Sequence, residues 1–481
     1  MTAVLLGNAI LNVMKLGLTV HDRPYSPLFG LCADAAPRDR ALFYTLRTSA
    51  FNSLAGCFDR DFWSEGALQA AQSFPAVWHA GLAIAAECTS VATIGISAQD
   101  NEWRHVYAMQ HYNKALQYLI TVSNKTELSY TDKEAMLLSM ILLTSLCCLW
   151  KDVDTALIHI GRGIQLFRQW RILDVALSPA MPVQLLPVRS LITLFLRFEM
   201  QYVRFFELAT EPTYELQAAT PETWTGSFTS IMEAYSEFLT ISLAMRCTDP
   251  GATHSTFHPR LPIFAKFRGP FDNWKAKLAR FVASRVMTDY EMQCILTLEF
   301  ESAMTEIVFS VDGVDSDVRQ LAYDSWLPMF EYMMTLAERL YEQTLKDTAH
   351  SPAFPLFSFS LSISDPLFFL LNCRDGRLRR RALALLRRWP QQDGLVQSEQ
   401  RAARFEQLML FEEGFGMVEE AQRPAYCQCI AGMFICGWHR VRWHTMMTTG
   451  SRTADTWLVT QWDWAQGYFK SGLIEKKTIE W

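Results

Sequence analysis

The 481-residue chain is poor in the short motifs that announce a chemistry. It has no G-x-S-x-G and no G-x-x-x-x-G-K-[ST], so neither a nucleophile elbow nor a phosphate loop is written into it. His159 to Gly163 reads HIGRG, but no strand precedes it, and a dinucleotide loop is excluded. No C-x-x-C occurs among 11 scattered cysteines, which fit reduced thiols better than a disulfide framework. Positive charge is not in excess: the net charge is -6, against an unaided nucleic-acid binder. The start, Met1 to Leu18, carries one basic residue and no small-residue cleavage site, so it reads as a helix packed on the body. The longest apolar run, Ala135 to Trp150, is shorter than the roughly 20 residues that span a bilayer and reads as a buried helix. There is no low-complexity stretch and no repeat at solenoid spacing.

What is present is apolar mass. Half the residues are hydrophobic and 13% aromatic, including 15 Trp and 31 Phe, enough for a large core. The periodicity is helical. Val106, Met109, Leu116, Leu119 and Ile120 recur as one face of a helix over Glu102 to Val122. Asp132 stands where an N-cap would start the helix through Trp150. Ala156, Ile160, Ile164 and Phe167 share a side, with Asp152 and Asp154 capping ahead of them, and Val188 to Leu208 follows Pro187 as another long helix. The expectation is an all-α fold, one large irregular bundle of stacked helical hairpins.

Three constellations are candidate sites. Arg197, Gln201 and Arg204 fall at i, i+4 and i+7 on an otherwise apolar helix, either as a structural ion-pair network or as the polar end of a ligand pocket. Arg374, Arg377, Arg379, Arg380, Arg381, Arg387 and Arg388 are either a phosphate-contacting patch or a solvated helix with Leu378, Leu385 and Leu386 turned inward. His105 with His111, and His439 with His444, stand six and five residues apart, away from the i, i+4 spacing of paired helical metal ligands. No catalytic residues, cofactor or metal site are expected.

Four segments carry a resemblance. They are ALFYTLRTSAFNSLAGCFDRDFW (Ala41 to Trp63), PAVWHA (Pro75 to Ala80), the stretch from His111 to Trp170 with DTALIHIGRGIQLFRQW, and CRDGRLRRRALALLRRWPQQDG (Cys373 to Gly394). In order and spacing they resemble the regulatory, or middle homology, domain of fungal binuclear zinc-cluster transcription factors, from about Ala41 to about Gln461. The sequence departs from that pattern at Gln391, Gln392 and Asp393, where the family has a basic pair and Glu, and at Leu395 to Gln397. The family's six-cysteine zinc cluster has no counterpart here.

The resemblance implies residues 1-40 as an N-terminal extension and 41-481 as the regulatory domain. It implies a nuclear, or alternatively cytoplasmic, regulator of fungal metabolism, specialised metabolism included. Such a regulator acts through protein contacts, as a homodimer or with a full-length zinc-cluster factor, or by sensing a small-molecule effector. Direct sequence-specific DNA binding and membrane insertion are not expected. Two other readings remain: an enzyme of specialised metabolism with an aromatic-lined pocket, and a truncated gene model of a DNA-binding activator.

Overall fold

In the computed structural model, residues 35–92, 98–172, 186–206, 227–248, 264–315, 318–348, 357–358, 363–389, 392–417, 426–430, 432–450, 452–468 and 476–481 are described. Most of residues 1–40, including the helix expected at Met1 to Leu18, therefore lies outside them. The chain is mostly helical with small sheets, as the periodicity predicted. It divides into two compact units: residues 1–51, 61–146 and 165–188, and residues 52–60, 147–164 and 189–481.

In the first unit, α1 (Pro37–Thr45) starts on a proline, whose missing N–H costs a helix nothing at its first turn. Beyond α2 (Ala67–Ser73), α3 (Pro75–Ala92) begins on a proline as well and packs closely on α4 (Ala98–Ser123). Gly81 lets α3 meet Leu46, where a Cβ would come within 2.7 Å of the leucine. Trp78 stacks on Phe43 at 5.0 Å. The buried residues of α4 are Ala108, His111, Ala115 and Leu119, whereas Val106 and Met109 are exposed. Of the expected face only Leu119 is buried; the face is corrected toward Ala108 and Ala115, whose small side chains allow the close approach of α3.

The helix α5 (Tyr130–Leu149) is buried as expected. Its internal hydroxyls Ser139, Thr144 and Ser145 each bond a carbonyl one turn back. Its cap is Ser129, not Asp132. The Asp132 N–H donates to Ser129 Oγ while the Ser129 N–H donates to the Asp132 carboxylate, a reciprocal capping box. Asp152 caps α6 (Val153–Gln169) through the Thr155 N–H, and Ala156, Ile160, Ile164 and Phe167 are all buried. The helix α7 (Val188–Phe206) follows Pro187.

In the second unit, α8 (Ile231–Thr248) and α9 (Ala265–Ala283) are joined by Trp274, whose indole N–H donates to the Ala234 carbonyl, and by the buried pair Lys277–Glu237. A capping box of Thr288 and Glu291 starts α10 (Asp289–Val311), which packs on α11 (Leu327–Thr348). The core there continues through α12 (Ser364–Phe369), α13 (Gly376–Arg388) and α14 (Ser398–Met417).

Two three-stranded sheets complete this unit. In the first, β1 (Phe357–Ser358) runs parallel to β2 (Gln392–Asp393), which turns through Gly394 into β3 (Val396–Gln397). Gly394 has φ +59°, a region that L side chains enter at a cost. In the second, β5 (Thr453–Thr460) lies between β4 (Val441–Gly450) and β6 (Lys476–Glu480), all antiparallel. A short helix α15 (Gln461–Ala465) is capped by Thr460 and Asp463. No described helix is long and apolar enough to cross a membrane.

Candidate functional site

Every residue of α7 from Leu191 to Glu199 is buried, so a charge in this stretch needs a partner. Arg197 has one in Asp59, with Nη2 donating to Oδ2 at 3.1 Å, and both side chains are almost fully buried. The other oxygen of Asp59 accepts the Gly56 N–H at 2.7 Å, which fixes the loop before it. The guanidinium also lies over the Tyr235 ring, 5.4 Å from its centre, and Phe58 stacks on that ring at 3.8 Å. Burial disfavours the arginine's charge, but Tyr235 and Asp59 more than offset it and its pKa rises.

The site is not fully satisfied. Among the described residues, Arg197 Nε and Nη1, Tyr235 Oη and Gln201 Oε1 are buried without a hydrogen-bond partner. Each such group costs roughly 1–3 kcal/mol, and those of Arg197 and Tyr235 lie together. Arg197 and Gln201 do share a face of α7, as their spacing predicted. They are directed differently, however: Arg197 reaches Asp59, while the Gln201 amide abuts Gly394 so closely that a Cβ there would overlap it. The side chain of Arg204 lies outside the described residues.

The arginines of α13 and its approach are engaged by carboxylates. Arg374 and Arg379 both bond Glu412, and Arg377, Arg380, Arg381 and Arg387 pair with Glu331, Glu413, Glu338 and Glu406. Only Arg388 is exposed with no such pairing among the described residues. Leu378, Leu385 and Leu386 face inward as expected. A phosphate would have to displace these acids, so the helix is a poor phosphate-binding surface. Burial would raise the Glu412 carboxyl, but Arg374 and Arg379 overcome it and bring it down to about 2. Glu412 also accepts the Val441 N–H at 2.7 Å, tying α14 to the start of β4.

The histidines pair differently from their sequence neighbours. His105 Nδ1 meets Glu87 at 3.0 Å, and His111 Nδ1 meets His79 Nδ1 at 3.0 Å. His444 sits against Arg404. His439 joins three cysteines, Cys427, Cys429 and Cys436, and the four donor atoms lie within 4.8 Å of one another. The spacing of His439 and His444, which argues against a metal site, does not reveal this group. The signal was there as Cys427-x-Cys429 followed by Cys436-x-x-His439.

No family model matches the chain, and no curated protein or solved structure matches it significantly.

Proposed function

We propose that this chain is a regulatory protein of the transcription-factor type, lacking a zinc cluster of the binuclear kind, that works through protein contacts and a small-molecule effector. The observation that carries the reading is the buried Asp59–Arg197 pair. Asp59 belongs to the Phe-Asp-x-x-Phe-Trp motif of the first resembling segment, and Arg197 is its buried partner on α7. They are 138 residues apart in sequence, yet they form one buried contact. The fourth segment behaves in the same way, because its Arg374 and Arg379 converge on Glu412. Residues that carry the resemblance thus act as an architecture.

The unsatisfied nitrogens of Arg197, with Tyr235 beside it, favour an anionic or carbonyl-bearing effector over an apolar one. For protein contacts, Ile430, Met433 and Phe434 stand exposed together at one loop tip, Met433 at 82%.

The test is to fuse the chain to a heterologous DNA-binding domain and measure a reporter in a fungal host. Transcription changed several-fold relative to the DNA-binding domain alone is expected. A folded, nuclear fusion that leaves the reporter unchanged, with turnover of a metabolite by the purified chain, would instead make it an enzyme.

A further inference from the structure

We infer that Cys427, Cys429, Cys436 and His439 bind one zinc ion, in a closed tetrahedral site that holds the 426–440 segment in its fold. The donor set is three thiol sulfurs and one imidazole nitrogen, which is a zinc-binding chemistry; iron–sulfur clusters of the common types take four thiolates. The spacing fits a single small ion. Zinc–sulfur bonds of ~2.3 Å and zinc–nitrogen bonds of ~2.0–2.1 Å set the S···N edge of a tetrahedron near ~3.5 Å. His439 Nδ1 stands 3.2 Å from Cys429 Sγ and 3.4 Å from Cys436 Sγ.

The backbone between the donors is shaped as a knuckle. Ile430 and Phe434 form an antiparallel bridge, closed by a turn through Gly432 at φ +67°. This folds Cys429 back toward Cys436, whose N–H donates to the Cys429 sulfur at 3.3 Å. An N–H aimed at sulfur favours the thiolate that a metal requires. A second turn, in which the His439 N–H donates to the Cys436 carbonyl at 3.1 Å, swings the imidazole onto the same point. Cys429, Cys436 and His439 are at most 3% exposed, so the site is shielded from water.

The local core explains why an ion is needed. It consists of Cys429, Ile435 and Cys436 with Cys427 against them, while Ile430, Met433 and Phe434 point outward. So few buried apolar side chains do not offset the cost of ordering the segment, and a bound metal supplies the difference. Its exit is anchored by Arg440, which bonds the Ile435 carbonyl, the Gln320 carbonyl and both oxygens of Asp324. Four protein donors leave no coordination position for substrate, so the role is structural. Loading the site releases the thiol protons, because zinc takes the thiolate form.

The full-length chain, expressed with zinc in the medium and dialysed, is to be assayed by elemental analysis. One zinc per chain is expected. Reduced, metal-stripped protein should take up cobalt with the intense visible absorption of a tetrahedral sulfur-rich site. Cys436→Ser and His439→Ala should each lower bound zinc at least tenfold. Because these variants risk misfolding, the wild-type cobalt spectrum decides the matter independently. Folded wild-type protein with neither zinc nor a tetrahedral cobalt spectrum overturns the inference, as does a cystine joining Cys429 and Cys436.

Discussion

Glu412 holds two guanidinium groups and one backbone N–H at a point with almost no access to water. Removing its charge leaves two buried arginines facing a neutral amide. Breaking a buried pair of this kind costs about 3–5 kcal/mol, more than most single substitutions. Glu412→Gln is therefore expected to lower stability by that amount in urea unfolding, while Glu413→Gln, whose partner Arg380 is exposed, costs under about 1 kcal/mol. Equal costs at the two positions would contradict the account. At this scale the sequence was partly legible. A lone Arg197 among Leu196, Phe198 and Met200 demanded a partner, but nothing local identified Asp59. The Cys/His group was legible only as the two short spacings Cys427-x-Cys429 and Cys436-x-x-His439, because its donors are brought together by turns, whose geometry leaves no period in the sequence.

Among the elements, α4 shows where periodicity misleads. A helix with Val106 and Met109 on one side and Ala108 and Ala115 on another seems to have its core face on the larger residues. Packing is decided by how closely two backbones can approach, and the alanine side wins. Val106→Gln and Met109→Gln should each change stability by less than about 0.5 kcal/mol, whereas Ala115→Gln, forced against α3, should cost over about 2 kcal/mol. Thermal denaturation of the three variants reads this directly, and a reversed order would return the core to the Val106 face. Buried α5 and α6 were legible because their apolar residues recur without competition. The β4–β5 hairpin was not. Along β4 the residues from Arg442 to Met446 are all partly buried and those after it exposed, so the alternation that reveals a strand never appears.

Across the whole molecule, several histidines are kept neutral. Burial is the first cause in each: it lowers His79 to about 3, and His111 and His159 to about 4, while His444 falls well below its ordinary value. Lys114 beside the His79–His111 pair and Arg404 beside His444 add to the effect. Unfolded, these rings take up protons near pH 6.5; folded, they refuse them until the pH is far lower. The unfolded chain thus binds more protons, and stability is complete above about pH 6.5 and falls as the pH drops toward 4. Glu412 titrates lower still, so the histidines govern this window. Urea midpoints at pH 7.5 and 5.0 should show the loss, and it should shrink in His79→Phe. A flat profile would mean that the rings are solvated.

The second unit is assembled from three separated stretches of chain, residues 52–60, 147–164 and 189–481. Asp59 is therefore synthesised long before Arg197, which follows it by 138 positions. At roughly 5–20 residues per second, a ribosome takes on the order of 7–28 s to cover that interval. Throughout it, a carboxylate destined for the interior waits in water beside Phe58, whose own partner Tyr235 comes later still. Codon choice between these positions sets the length of that wait. How long the two burial partners stay apart on the ribosome is thus set by the speed of translation, not by the stability of what is finally folded.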